Sequence, residues 1–338
     1  MILRSEQVEQ TIDADRRVEL LKQVVRVDGP QPLAMIRKRL PQPGAQAPAV
    51  LLVHGFGQNR YTWHTDRRSF SAHLAACGFD VFVADLRGHG RSRRLGARRP
   101  RVMDEYILED VPALAHAALA LAGQERIFLV GHSMGGLIAY GAAAGPLRDR
   151  VRGIVSLGSP YRFGLGSRTL VLLRTLLGAL RHSSLGDGRL PLPLRHVGRL
   201  LRRQRRLWDS PLVPMPIRAW APGSVEPEVL EHYLARAFDR TSLAVAYDIL
   251  RYGQQAALGS EASAGHARAF EALDVPLLVI AGSLDRLAPP PSVRPAHDRS
   301  RSSDKAYRVF PHGHVDLVLG RRAPATVWAT IRTWLLAR

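Results

Sequence analysis

The chain predicts an α/β architecture, a mostly parallel central sheet with helices on both faces and one helical cap insertion. Three observations point there. Short apolar runs of strand length alternate with helix-like stretches in both the first half and the last quarter, and such alternation implies parallel strands joined by crossover helices. That rhythm fails between about Tyr161 and Phe270, where arginine-rich helical pieces, prolines and glycines take its place. Several of the apolar runs end in glycine-rich loops, where open α/β sheets gather functional groups.

Taken in order, residues 18–40, "VELLKQVVRVDGPQPLAMIRKRL", read as two strands turned at Asp28 and Gly29, an antiparallel entry hairpin. A proline and glycine connector, "PQPGAQAPAV", leads to the apolar run Val50 to Val53, which stops at "HGFGQN". Further strands are expected at "DVFVAD", "RIFLVG" and "GIVSLGSP", with helices near Phe70 to Cys77, Glu105 to Ala122 and Gly136 to Ala144. After the cap the pattern resumes with "VPLLVIAGSLD" and "AYRVFPHGHVD", and closes on a helix, "PATVWATIRTWLLAR". The organisation is therefore 1–160 core, 161–270 cap insertion and 271–338 core, one folding unit with an excursion.

Within the cap, "SRTLVLLRTLLGAL" is apolar but too short, and too interrupted by Arg168 and Arg174, to span a membrane. "RHVGRLLRRQRRLW" is basic and partly amphipathic, which suits a solvated cap face, or peripheral contact with an anionic membrane. The opening residues turn polar and acidic after three positions and lack the apolar stretch of a signal peptide, so the expected location is the cytoplasm. Cys77 is the only cysteine; it rules out an internal disulfide framework and suits core filling.

The net charge of +19 raises nucleic-acid binding, but all but three of the 48 basic residues are arginine, a bias that codon composition alone produces. The basic runs also lack the interleaved aromatics on which single-stranded bases stack. The expected partner is therefore a small-molecule ester or lipid-like substrate and not nucleic acid.

Chemistry concentrates at "GHSMGG". Ser133 stands in the middle of a glycine-x-serine-x-glycine pattern between an expected strand and an expected helix. A reversal that sharp strains the central residue, and flanking glycines remove the side chains that would clash. The serine oxygen is thereby lifted from the strand end, with the following helix aiming its amides at the same place. A serine hydroxyl needs a base to take its proton and a third group to orient that base. His314, in "PHGHVDLVLG", fits the base ahead of His312 because it precedes the apolar run that would anchor its loop. Asp285, just past the apolar strand in "AGSLDRLAPP", fits the acid ahead of Asp316, which is too local and suits an exposed or capping role. The amides of Phe56, on the "HGFGQN" loop, and Met134 are the candidate oxyanion donors. His54 is expected to brace that loop, and Asp85 and His89, in "DLRGHGRS", to be structural.

The order Ser133, Asp285, His314, together with "HGFG", "DLRGHGRS", "GHSMGG", "GSLD" and "GHVD" in sequence, resembles the α/β-hydrolase superfamily over most of the chain outside the cap. The resemblance implies the same triad, oxyanion amides at Phe56 and Met134, no cofactor, and a range of activities that includes esterases, lipases, thioesterases, carbon–carbon hydrolases and acyltransferases. "GHVDLVLG" is similar to the histidine region of acid lipases and of polyhydroxyalkanoate synthases. Those synthases carry cysteine where this chain has Ser133, and dehalogenases and epoxide hydrolases carry aspartate, which argues against each of these. The function expected is hydrolysis of carboxylic esters with a fairly apolar or lipid-like acyl group. The alternatives are acyl transfer or thioester hydrolysis by the same triad, and a catalytically dead binding or scaffold protein.

Overall fold

A computed structural model describes residues 1–14, 16–42, 47–181, 191–213, 217–252 and 261–338. The middle of the expected connector, 43–46, and three stretches of the expected cap, 182–190, 214–216 and 253–260, lie outside the described residues.

The first nine-strand sheet is built from β1 (Ile2–Asp13), β2 (Arg16–Val27), β3 (Leu33–Arg39), β4 (Ala49–Val53), β5 (Asp80–Asp85), β6 (Ile127–His132), β7 (Val151–Leu157), β10 (Leu277–Gly282) and β11 (Lys305–Phe310). A separate two-strand ribbon pairs β8 (Pro191–Leu192) with β9 (Thr241–Ser242). Across the large sheet the order is β1-β2-β3-β5-β4-β6-β7-β10-β11. β1, β2, β3 and β5 run antiparallel in turn, and every pair from β5 to β11 is parallel.

The inner parallel strands, unlike the edge strand β11, are largely apolar on both faces because both are covered. In β4, Ala49, Leu51 and Val53 join one core cluster while Val50 and Leu52 join the other, as the two-residue period of a strand requires. On the first face lie the helices Val111–Ala122, Met134–Ala144 and Glu261–Glu271, through Leu114, Leu137 and Phe270. The second face is covered by Phe70–Ala76, Pro227–Arg236 and the C-terminal helical run from Pro324, through Phe70, Leu230 and Trp328. Each fully buried side chain of this size contributes about 1.5–3 kcal/mol through removal from water. Glu261–Glu271, the last helix of the expected cap stretch, stacks Phe270 on Tyr140 with ring centroids 4.2 Å apart, so it packs as part of the core layer.

The entry hairpin forms as expected, but β1 is an addition to it. Its sequence is too polar to register as a strand, because it is an edge strand whose alternate residues face solvent and whose stability comes from ladder hydrogen bonds and cross-strand charge pairs. Glu6 meets Lys22 at 3.0 Å and Glu9 meets Arg17 at 2.9 Å. Cys77 sits half-buried at the C-terminal cap of Phe70–Ala76, at the margin of the core instead of inside it. No helix among the described residues is long and apolar enough to cross a membrane.

Buried charges hold the loops above β5. The fully buried Arg87 side chain donates to Asp110 and to Glu109, tying the turn after β5 to the helical turn Tyr106–Asp110 that leads into Val111–Ala122. Asp85 accepts from the amides of Arg60 and Arg91 and pairs with the Arg60 guanidinium at 2.7 Å. The His89 ring meets the Tyr106 hydroxyl at 3.0 Å, so both residues expected to be structural are engaged in holding loops.

Candidate active site

The β6 strand delivers Ser133 into a bend. Its backbone has φ 56° and ψ −123°, and Ala14 is the only other described non-glycine residue with positive φ. Such a conformation costs on the order of 1–3 kcal/mol and persists only where the surroundings enforce it. Here they do: the Ser133 amide donates to Leu157 O at 2.8 Å, at the end of β7. The two glycines of the pattern are demanded by close approach. A Cβ on Gly131 would run into the Gly135 carbonyl, and one on Gly135 would run into Val53 O at the end of β4. Ser133 itself remains partly accessible, while His132 and Met134 on either side are buried.

The candidate base and the candidate acid meet directly. His314 Nδ1 lies 2.7 Å from Asp285 Oδ2, with both side chains almost wholly buried. Asp285 Oδ1 accepts from the amides of Leu287 and Ala288 at 2.8 and 2.7 Å, which fixes the carboxylate in the turn after β10. With Nδ1–H donated to the carboxylate, Nε2 is left as the basic nitrogen. Gly158, at the end of β7, backs the pair: a Cβ there would stand 3.2 Å from both Asp285 Oδ2 and His314 Nδ1. His312 faces elsewhere, its ring nitrogens engaged with Pro311 O and the Thr326 hydroxyl.

The link from this pair to the serine runs through a residue that the sequence pattern passes over, His132. Its ring packs on that of His314 with centroids 4.7 Å apart, and its Nε2 meets His314 O at 3.1 Å. Burial pushes His132 down to about 3, so it is neutral at physiological pH and adds no positive charge beside His314. The residue just before Ser133 thus steadies the loop that carries His314. Among the described residues no hydrogen bond joins the Ser133 hydroxyl to the His314 ring; such contacts commonly tighten only when substrate is bound.

The "HGFGQN" loop passes beside Ser133. A Cβ on Gly55 would approach Ser133 Cβ to 3.2 Å, which places the next residue, Phe56, at the bend. Met134 is the first residue of its helix, and neither its amide nor that of Phe56 donates to another backbone carbonyl among the described residues. His54 braces the loop as expected, with Nδ1 on Gly55 O and Nε2 accepting from the Leu86 amide, and burial lowers its pKa so that it stays neutral. From above, Tyr233 accepts from Gln58 Nε2 at 2.6 Å and the Asp239 amide donates to Gly57 O at 2.8 Å, so the 161–270 stretch fastens the loop.

Asp316 corrects an expectation. It is fully buried rather than exposed, and its Oδ2 accepts from the amides of Gly313 and Ala221 at 2.8 and 3.0 Å, clamping the His314 loop to the chain entering from Trp220. The sequence offered only its nearness to His314, which says nothing about burial. Burial pushes Asp316 up to about 6, against those hydrogen bonds and with Asp285 adding to the rise. An acid harder to ionise in the fold than in the open chain makes the native state lose stability as pH climbs from about 4 to about 6, here by at most about 3 kcal/mol. Asp316→Asn keeps an acceptor without that titration. Urea unfolding at pH 4 and pH 7 is expected to show the variant gaining on the wild type across this window.

A family model described as the alpha/beta hydrolase fold matches residues 48–320. Epoxide hydrolase B of Mycobacterium tuberculosis is 34% identical over 119 residues, 35% of this chain and 31% of that protein. The pimeloyl-[acyl-carrier protein] methyl ester esterase of Yersinia enterocolitica is 34% identical over 110 residues, 32% of this chain and 36% of that protein. The matches thus span only about a third of the length of these curated relatives. Among solved structures, the monoacylglycerol lipase of Paleococcus ferrophilus superposes with a TM-score of 0.61 at 19% identity, over 90% of this chain and 98% of that one, which is a likeness of fold.

Proposed function

The chain belongs to the α/β-hydrolase fold family, and from that premise we propose that it hydrolyses carboxylic esters of a fairly apolar or lipid-like acyl group. The observation that carries this reading is the His314–Asp285 pair, 2.7 Å apart, set through His132 against a serine in left-handed backbone.

Ser133 attacks the ester carbonyl as His314 Nε2 takes its proton. The negative charge that develops on the carbonyl oxygen falls to the amides of Phe56 and Met134, each worth about 3 kcal/mol to the transition state. The imidazolium, held by Asp285, protonates the departing alkoxide and leaves an acyl-serine. Water then attacks with His314 as base, and the acid departs. An epoxide hydrolase stands among the relatives, yet serine is the wrong nucleophile for that turnover. Its attack on an epoxide carbon would leave an ether, which has no carbonyl for water to open.

The 161–270 stretch serves in this reading as a cap over the acyl group. Its helix Arg168–Arg181 exposes Val171, Leu172 and Leu176, and the helix Leu194–Arg203 exposes Val197 and Leu200 between arginines. That combination suits peripheral contact with an anionic membrane that presents the substrate. A panel of p-nitrophenyl esters is expected to show kcat/KM rising with acyl length from two carbons. A flat or falling series contradicts the apolar preference. If added alcohols or thiols capture the acyl group faster than water does, the triad serves acyl transfer; vesicle binding with no turnover of any ester leaves a scaffold.

A further inference from the structure

On the face of the sheet formed by β2, β3 and β5 lies a cavity of about 70 Å³ whose lining includes Lys22, Lys38, Arg60, Tyr61, His64 and Arg91, and no acid. It is separate from the site above, because β4 stands between β5 and the β6 strand that ends at Ser133.

The charges on its wall do not cancel. Lys22 pairs with Glu6 at 3.0 Å and Arg60 with Asp85 at 2.7 Å. Lys38 is 2% exposed, and among the described residues its ammonium has a single hydrogen bond, to the Ser71 hydroxyl at 2.9 Å. Among the described residues no carboxylate pairs with it. Arg91 Nε is likewise buried without a partner. His64 supplies no balancing charge: its ring nitrogens face the Gln10 amide, and burial with Lys38 close by keeps it neutral. Burying an ammonium without an anion is among the costliest arrangements in a fold. Water filling the cavity would solvate these donors but not neutralise them.

We propose that this cavity is a binding site for a small oxyanion of the class of inorganic phosphate or sulfate, held by Lys38, Arg91 and Lys22. The cavity volume exceeds the share of one water molecule, which leaves room for a small tetrahedral anion. Tetrahedral oxygens would take up the free N–H groups of Lys38 and the Nε–H of Arg91 together. Burial, with Lys22 and Arg60 nearby, drives the Lys38 pKa well below the ordinary lysine range, and a bound anion would reverse that pressure. Arg60 and Tyr61 stand on the same turn that continues the "HGFGQN" loop, so the anion would also anchor that turn.

The test is calorimetric titration and thermal melting of the full chain with inorganic phosphate and, separately, sulfate, at constant ionic strength made up with chloride. Saturable binding with a rise in Tm is expected for the wild type. Lys38→Met should abolish it while melting in chloride no lower than wild type, since the unpaired charge is gone. Arg91→Gln, on a half-buried side chain, should weaken binding about tenfold or more and decides the matter if Lys38→Met does not fold. The absence of saturable binding, or equal phosphate dependence in wild type and variants, overturns the proposal.

Discussion

Ser133→Ala is expected to lower kcat for ester hydrolysis by at least about 10⁴-fold with little change in KM, because the acyl-serine can no longer form while the acyl-binding surface is untouched. The variant's melting temperature should stay close to wild type, since alanine suffers the same positive φ as serine and neither side chain is deeply packed. Ser133→Gly separates strain from chemistry. It should be equally inactive yet more stable by about 1 kcal/mol, as glycine occupies φ 56° without the Cβ penalty. Stopped-flow or steady-state assay beside calorimetric melting reads both quantities. A Ser133→Ala protein retaining a tenth of wild-type kcat would remove the nucleophile from this account.

Gly135→Ala should be strongly damaging for a change of one methyl group. The added carbon would collide with Val53 O and come within 2.8 Å of His54 O, both backbone atoms of a fully buried strand end. Neither can swing aside as a side chain would. Relief requires pushing the Met134–Ala144 helix away from β4, at a cost of about 3 kcal/mol or more. The same movement separates the Met134 amide from the "HGFGQN" loop, so activity should fall further than the loss of folded protein explains. Urea unfolding and kcat measured on the remaining folded fraction would show both effects. Alanine tolerated here within about 0.5 kcal/mol would mean that the bend is looser than its contacts imply.

How far the sequence discloses this molecule depends on what each residue's role demands. Buried parallel strands such as Val50–Val53 and Leu277–Gly282 are legible because burial on both faces forces a continuous apolar run. Ser133, Gly131 and Gly135 are legible because a strained reversal admits few residue types. Asp285 and His314 follow from strand ends alone, being placed by the chemistry the serine requires, and the structure brings them into contact. β1 is hidden because an exposed edge strand needs no apolar period. The role of His132 is hidden for a different reason: its partner, His314, is 182 residues away, and nothing local marks the contact. Asp316 and Lys38 show the same limit, since a buried charge and an exposed one are spelled alike. Residues 161–270 are recognisable as a break in rhythm, but composition alone does not reveal that Glu261–Glu271 packs in the core layer.

The most direct measurement is peptide mapping by mass spectrometry after inhibiting the wild-type protein with a fluorophosphonate. One phosphonyl group is expected, on the peptide containing Ser133, with hydrolytic activity lost in step with labelling. Complete loss of activity with the label on any other residue, or undiminished hydrolysis by protein fully labelled at Ser133, would contradict it.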